Sequence, residues 1–225
     1  MNLKKSVLLA LSVGALLVVG CAASRPNIAV EKGSASPGGS ITRGGQSAKL
    51  LGKPIAVGDS LPSVALVDAA TMKPVDISTL KGSVLFLSIV PSIDTAVCEE
   101  QTHYLGEQGD KLPPQVKRIT ISRDTPFAQK RFAKEAKLED IQYLSDYKEG
   151  AFGQSTGLLV ENIMLLARSV IIVDRDGKVR YIQVVPEIFH LPDMDTAFQK
   201  ATELAKGTYP DAVSRAERLM KERID

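Results

Sequence analysis

Tryptophan is absent from this 225-residue chain, aromatic residues make up only 5% of it, and cysteine and histidine occur twice each. Each scarcity excludes something. Few aromatics leave no stacking surface for single-stranded nucleic acid. The two histidines, His103 and His190, stand far apart and no thiols cluster, so the three or four ligands of a zinc site are missing and no metal is expected. There is no CxxC pair, which excludes a dithiol oxidoreductase, and GxSxG, GxxxxGK(S/T) and GxGxxG are absent as well, so no cofactor is expected. Charge of either sign is not in excess. The formal net charge is +2, and Lys4 and Lys5 fall in what reads as a removable leader; without them 26 basic side chains face 26 acidic ones. Such balance gives no reason to expect nucleic acid or anionic lipid as a partner.

What is present is an ordinary globular composition, 44% hydrophobic and 24% charged, preceded by an unusual front. Residues 1–20 join a basic start, MNLKK, to an apolar stretch of signal-peptide length that is short for a membrane span. They run into Val18-Val19-Gly20-Cys21, which resembles a bacterial lipobox, with Cys21 as the acylated first residue of the mature protein. This reading places the protein in the bacterial cell envelope, lipid-anchored and facing the periplasm. Ala22 and Ala23 follow, with no Asp at the second mature position, which by resemblance to enterobacterial sorting rules suggests the outer membrane. Residues 21–49, rich in Gly, Ser and Ala and without periodicity, read as a flexible acylated tether. Such a segment spans roughly 30 Å root-mean-square, enough to hold a domain off a bilayer.

From residue 50 the pattern changes. SVLFLSIV (83–90) is a continuous apolar run of strand length, as expected of a central strand covered on both faces. A helix follows from Cys98, with Val97, Tyr104 and Leu105 on one side. VKRITIS (116–122) is the next strand, PFAQKRFAKEAK (126–137) a helix with Pro126 in its first turn, and IQYLSD (141–146) a short strand. SVIIVDRDGKVRYIQVV (169–185) reads as a hairpin around Asp176-Gly177. DMDTAFQKATELAKG (193–207) is a last helix stopped by Gly207. The order predicts an α/β domain over 50–206, a mixed central sheet with helices on both faces. Residues 207–225 form a charged C-terminal tail, expected to be helical.

Cys98 stands directly after the strand run, in PSIDTAVC (91–98). A thiolate is the reactive form of cysteine, and it is favoured by a helix N-terminus and by a nearby cation. If the helix opens near CEEQ, Cys98 lies in its first turn, with Asp94 or Thr95 as N-cap. Glu99 and Glu100 disfavour the anion but project off that face, so a cation from elsewhere has to tip the balance. His103, five positions on, is about 140° around the helix and a poor base for this sulfur. Taken singly, Cys98 reads as a small core residue, Thr95 as a cap and Pro91 as a strand terminator.

In register they read differently. Pro91-Ser92-Ile93-Asp94-Thr95-Ala96-Val97-Cys98 matches the PxxxTxxC motif of peroxiredoxins and resembles the bacterial thiol peroxidase branch. DTPFAQKRF (124–132), FGQSTGLL with LLARSVIIVDRDGKV (152–179) and PEIFHLPDMDTAF (186–198) resemble the same branch, in order, so that the likeness spans 50–206. It implies a thioredoxin-like fold and peroxide reduction. Cys98 would attack the peroxide and become a sulfenic acid, with Arg168 as the missing cation and Thr95 hydrogen-bonded to sulfur or peroxide. Pro91 would shield the pocket, and backbone N–H groups near Val97 and Cys98 would receive a peroxide oxygen. The family also implies a homodimer.

Two departures follow from the same comparison. The branch usually has a resolving cysteine at the end of the RF helix, where this chain has Phe132-Ala133. Cys21, if acylated, cannot replace it, which leaves a one-cysteine peroxidase served by an external thiol, thioredoxin-like or small. Residues 53–67 also look several residues short of the family's opening β-hairpin. The rival reading is a non-catalytic thioredoxin-fold lipoprotein acting as a redox sensor or binding module.

Overall fold

The computed structural model describes residues 27–207. The signal segment, Cys21 and all but the first residue of the C-terminal tail lie outside the described residues.

The core is a seven-stranded mixed sheet in the order β10-β9-β5-β6-β7-β3-β4. Its strands are β3 (Ala65–Asp68), β4 (Pro74–Asp76), β5 (Val84–Ile89), β6 (Val116–Ser122), β7 (Gln142–Ser145), β9 (Ser169–Val173) and β10 (Val179–Val184). β5, β6 and β7 run parallel, and β9, β10, β3 and β4 complete the sheet antiparallel. Every side chain of β5 is buried, as its unbroken apolar run predicts. Leu85, Leu87 and Ile89 face one half of the core, and Val84 and Phe86 the other, beneath the helices.

Among the described residues four α-helices accompany the sheet: α1 (Ala96–Glu107), α2 (Pro126–Glu135), α3 (Ala151–Thr156) and α4 (Met194–Ala205). Thr125 caps α2 by accepting from Ala128 N, with Pro126 in its first turn, and Asp193 caps α4 by accepting from Thr196 N. The buried face of α1 is Cys98, Gln101, Thr102 and Leu105; Val97 and Tyr104, expected on that face, are only half-buried. The expected hairpin of β9 and β10 turns through Gly177 at φ +82°.

The segment expected to be a loose tether belongs, from residue 27 onward, to the fold. β1 (Ser40–Arg43) and β2 (Gln46–Leu51) form a hairpin that adds β8 (Leu159–Val160) as a third strand. Its two-residue turn, Gly44-Gly45, has φ +59° and +80°, positive at both positions as a type I′ turn requires. Ile41, Leu50 and Val160 enter the main core. The opening hairpin is therefore complete, and it lies upstream of residues 53–67, where it looked truncated. Ahead of it, residues 29–36 run as a strap along the edge strand β10, with Ala35 N donating to Val184 O at 2.8 Å. Glycine and serine richness misled the composition argument, because Ile41 and Leu50, one on each strand, still anchor the hairpin in the core.

Candidate active site

The site forms where β5 ends. Val90 continues the pairing to β6 through Ile121 O at 3.0 Å, and the chain then turns through Pro91 into α1. This is the carboxyl end of a parallel strand whose neighbours, β6 and β9, leave in opposite directions, a place where open α/β sheets build their sites. Asp124 holds the turn in place, accepting from Ser92 Oγ at 2.7 Å and from Ile93 N at 2.8 Å.

Thr95 is the N-cap of α1, in extended conformation at φ −136° and ψ 143°. Its hydroxyl does not cap the helix. It stands 3.0 Å from Cys98 Sγ and 3.2 Å from Ser92 O, and its single proton serves one of them at a time. Cys98 is the third residue of α1 and fully buried, packed with Val90, Ile93 and Phe132. The first helical bond runs from Glu99 N to Thr95 O. The N–H groups of Val97 and Cys98 thus belong to the open, positive end of α1.

Arg168 comes from the other side. The pair Ile89–Ser169 aligns β5 with β9, so Arg168 lies one step beyond it, across from the start of the catalytic turn. It is only 2% exposed, among the most buried large side chains of the molecule. Its Nη2 donates to Cys98 Sγ at 3.3 Å, Nη1 to Gln101 Oε1 at 2.9 Å and Nε to Ile188 O at 2.9 Å. Burial pushes its pKa down, and the Cys98 thiolate pushes it back up. Of the three acceptors only sulfur can carry a charge. A buried guanidinium needs such an acceptor beside it.

Sequence reasoning thus brought Pro91, Thr95, Val97, Cys98 and Arg168 to one place. It missed Gln101, Asp124 and Ile188. Gln101 was findable: three residues beyond Cys98, it shares that face of the helix. It is fully buried, and its Nε2 donates to Ser88 Oγ at 2.9 Å, which fixes the end that faces Arg168. Asp124 and the Ile188 carbonyl act across the fold and carry no local signal. Ile188 is itself tied to the unexpected hairpin: its N–H donates to Thr42 O at 2.9 Å, and Thr42 N donates to Pro186 O at 2.7 Å.

The remaining candidates lie apart. His103 bonds Glu107 at 3.2 Å and approaches Glu99 at 3.7 Å along α1, its ring edge-on to Phe132, and His190 bonds Glu31 at 2.6 Å. Ala133 is buried among the apolar residues beneath α2. Among the described residues no group of three or more His, Cys, Asp or Glu side chains could hold a metal, and no helix is long and apolar enough to cross a membrane.

A fold and a site of this kind define a thioredoxin-like, peroxiredoxin-type protein. The model of the redoxin family matches residues 56–198. A thiol peroxidase from Halalkalibacterium halodurans is 40% identical over 167 residues, 74% of this chain and 97% of its own length. A thiol peroxidase from Bacillus subtilis is 35% identical over 166 residues, 74% of this chain and 98% of its own. Among solved structures, a peroxiredoxin-like protein from Aquifex aeolicus superposes with a TM-score of 0.70 at 31% identity, covering 76% of this chain and 99% of its own. The chain belongs to the redoxin family and, within it, to the thiol peroxidases, enzymes of thiol-dependent peroxide reduction.

Proposed function

We propose that this protein reduces hydroperoxides by a one-cysteine cycle from the surface of a bacterial envelope membrane. The observation that carries the reading is the placement of Cys98 Sγ between the Thr95 hydroxyl and the buried Arg168, in a chain whose only other cysteine is Cys21.

In the first step the thiolate of Cys98 attacks the terminal oxygen of ROOH. The S–O bond forms as the O–O bond breaks, leaving a sulfenic acid, and RO⁻ takes a proton to depart as ROH. Arg168 stays protonated throughout and stabilises charge on sulfur and then on oxygen. The N–H groups of Val97 and Cys98 receive the oxygen that becomes negative, and Thr95 donates to sulfur before attack. Pro91, buried at the mouth of the turn, keeps bulk water from the sulfenate. Because Sγ is covered, peroxide reaches it only when a neighbouring side chain moves aside.

In the second step an external thiol attacks the sulfenic sulfur, releases water and forms a mixed disulfide. A second thiol then regenerates the Cys98 thiol and leaves as an external disulfide. The usual internal partner is missing, since Ala133 stands where the family's second thiol is expected. Acylation of Cys21 completes the proposal on the strength of Val18-Val19-Gly20-Cys21 and the preceding apolar run. The test is quenched-flow oxidation of Cys98 by hydrogen peroxide and by an alkyl hydroperoxide, with the sulfenate trapped and detected by mass. Oxidation far faster than that of a free thiol supports the reading. A Cys98 that stays reduced while free thiols oxidise leaves the binding-module reading standing.

A further inference from the structure

The strap leaves little free chain between Cys21 and the domain. Ala29 is already tied down, its carbonyl accepting from Leu191 N at 2.8 Å, and Glu31 N donates to Leu191 O at 2.8 Å. Lys32 Nζ pairs with Asp193 at 2.8 Å, Glu31 with His190 at 2.6 Å, and Gln183 Nε2 donates to the carbonyls of Glu31 and Gly33. Seven residues, 22–28, lie between Cys21 and Ala29, a span of eight Cα–Cα steps. Fully extended, that span reaches at most about 28 Å.

We propose that the surface around Val30 and Phe189 is a membrane contact, seated in the headgroup region of the bilayer that holds Cys21. The proposal rests on the lipid-anchor reading and adds to it an orientation: the short linker draws the domain down onto one face.

That face is made for such a seat. Val30 is 50% exposed and Phe189 49% exposed, large apolar side chains left in contact with solvent at the point where the chain enters the fold. Val30 bridges to Leu191, two residues beyond Phe189. The Phe189 ring reaches the hairpin turn, where a Cβ on Gly44 would come within 3.7 Å of it. The Glu187 carboxylate locks these parts together, accepting from Gly44 N at 2.9 Å, Gly45 N at 3.1 Å, Thr42 Oγ1 at 2.8 Å and Phe189 N at 3.3 Å. The backbone that carries the half-exposed Phe189 ring is therefore fastened to the hairpin turn. Arg43 is exposed in the same turn, and the Lys32 side chain is 71% exposed beside Val30. Aromatic and aliphatic side chains flanked by long basic ones suit a bilayer interface, the stems lying along apolar surface and the charges among headgroups. An acyl anchor with a second, weaker contact is also how stable surface attachment is built. The contact borders residues 186–191, the segment whose Ile188 carbonyl holds Arg168.

The absence of tryptophan makes the test direct, since any Trp introduced is the sole one. Full-length protein carrying Phe189→Trp, Val30→Trp or Phe127→Trp is reconstituted in phosphatidylcholine vesicles with brominated acyl chains, after intact mass has established whether Cys21 is acylated. Phe127 is the control: it is 72% exposed on α2, which packs over β7, four strand spacings or about 19 Å from β10. The contact predicts emission reduced about twofold or more at positions 189 and 30, with a blue shift, and unchanged at 127. Acylated protein with no quenching at 189 and 30, or with equal quenching at 127, overturns the contact and leaves the anchor intact. A Cys21 without acyl mass overturns the anchor and the contact with it. Because two independent positions report, misfolding of one variant does not remove the test.

Discussion

The Nη2 of Arg168 lies 3.3 Å from the Sγ of Cys98, and both groups are sealed from solvent. Seventy positions apart in sequence, they meet because β9 pairs antiparallel with β5 while α1 leaves the end of β5. The sheet's register sets the distance, and burial sets the strength, since charge on sulfur matters most where water is absent.

Removing that cation should damage the reaction severely. Arg168→Ala is expected to slow oxidation of Cys98 by peroxide about two to three powers of ten, the loss typical of one key electrostatic donor. Arg168→Lys should recover only part of it. A point charge cannot also reach Gln101 Oε1 and Ile188 O from one planar group. Rapid-mixing oxidation rates decide this, and unchanged rates in both variants would place Arg168 outside the chemistry.

Gln101 is a positioning residue, acting through Arg168. Gln101→Ala leaves Nη1 of Arg168 and the Ser88 hydroxyl without this partner. A rate loss of about tenfold is expected, in line with one buried charge-assisted hydrogen bond. The pH profile of the oxidation rate separates positioning from mere stability: it should move in Gln101→Ala and stay in a core variant of equal stability loss.

Glu187 supplies a pH-dependent fastening for the hairpin. Partial burial opposes its ionisation, but the N–H groups of Gly44, Gly45 and Phe189 and the Thr42 hydroxyl hold its pKa at about 2, below the ordinary 4.5. A carboxylate depressed in the folded state contributes stability above its unfolded pKa and loses it as pH falls through the folded one. Wild type should therefore melt above Glu187→Gln at neutral pH, and the gap should shrink between about pH 4.5 and pH 2. A gap independent of pH would assign the effect to packing alone.

Cys21→Ser should abolish acylation and release the protein from the membrane. Labelled fatty acid appearing on the Cys21→Ser form would contradict the anchor.

The central sheet was legible because its strands announce themselves. SVLFLSIV, VKRITIS and the two arms around Asp176-Gly177 carry strong apolar runs with clear turn signals, and they became β5, β6 and the β9–β10 hairpin. The short β3, β4 and β8 and the six-residue α3 lack the length to show a period, and passed unseen. The first hairpin did carry a signal, Gly44-Gly45 between Ile41 and Leu50, which surrounding Gly and Ser obscured. In the site, Pro91, Thr95 and Cys98 sit within eight residues and were readable as a motif. Arg168 was found through the family resemblance, since nothing local distinguishes a buried arginine from an exposed one. Asp124 and Ile188 O work through tertiary hydrogen bonds, and pattern alone cannot place those.

Resolution of the sulfenate tests the account most directly. Intact mass after one equivalent of peroxide should show one added oxygen on Cys98, convertible to a mixed disulfide by a small thiol and to sulfinic acid by excess peroxide. Ala133→Cys should instead gain an internal disulfide and resist overoxidation, if the turn around Cys98 can open toward α2. Loss of two hydrogens in the wild-type chain, the mark of an internal disulfide, or no change at Cys98 under peroxide that oxidises free thiols, would contradict the one-cysteine mechanism.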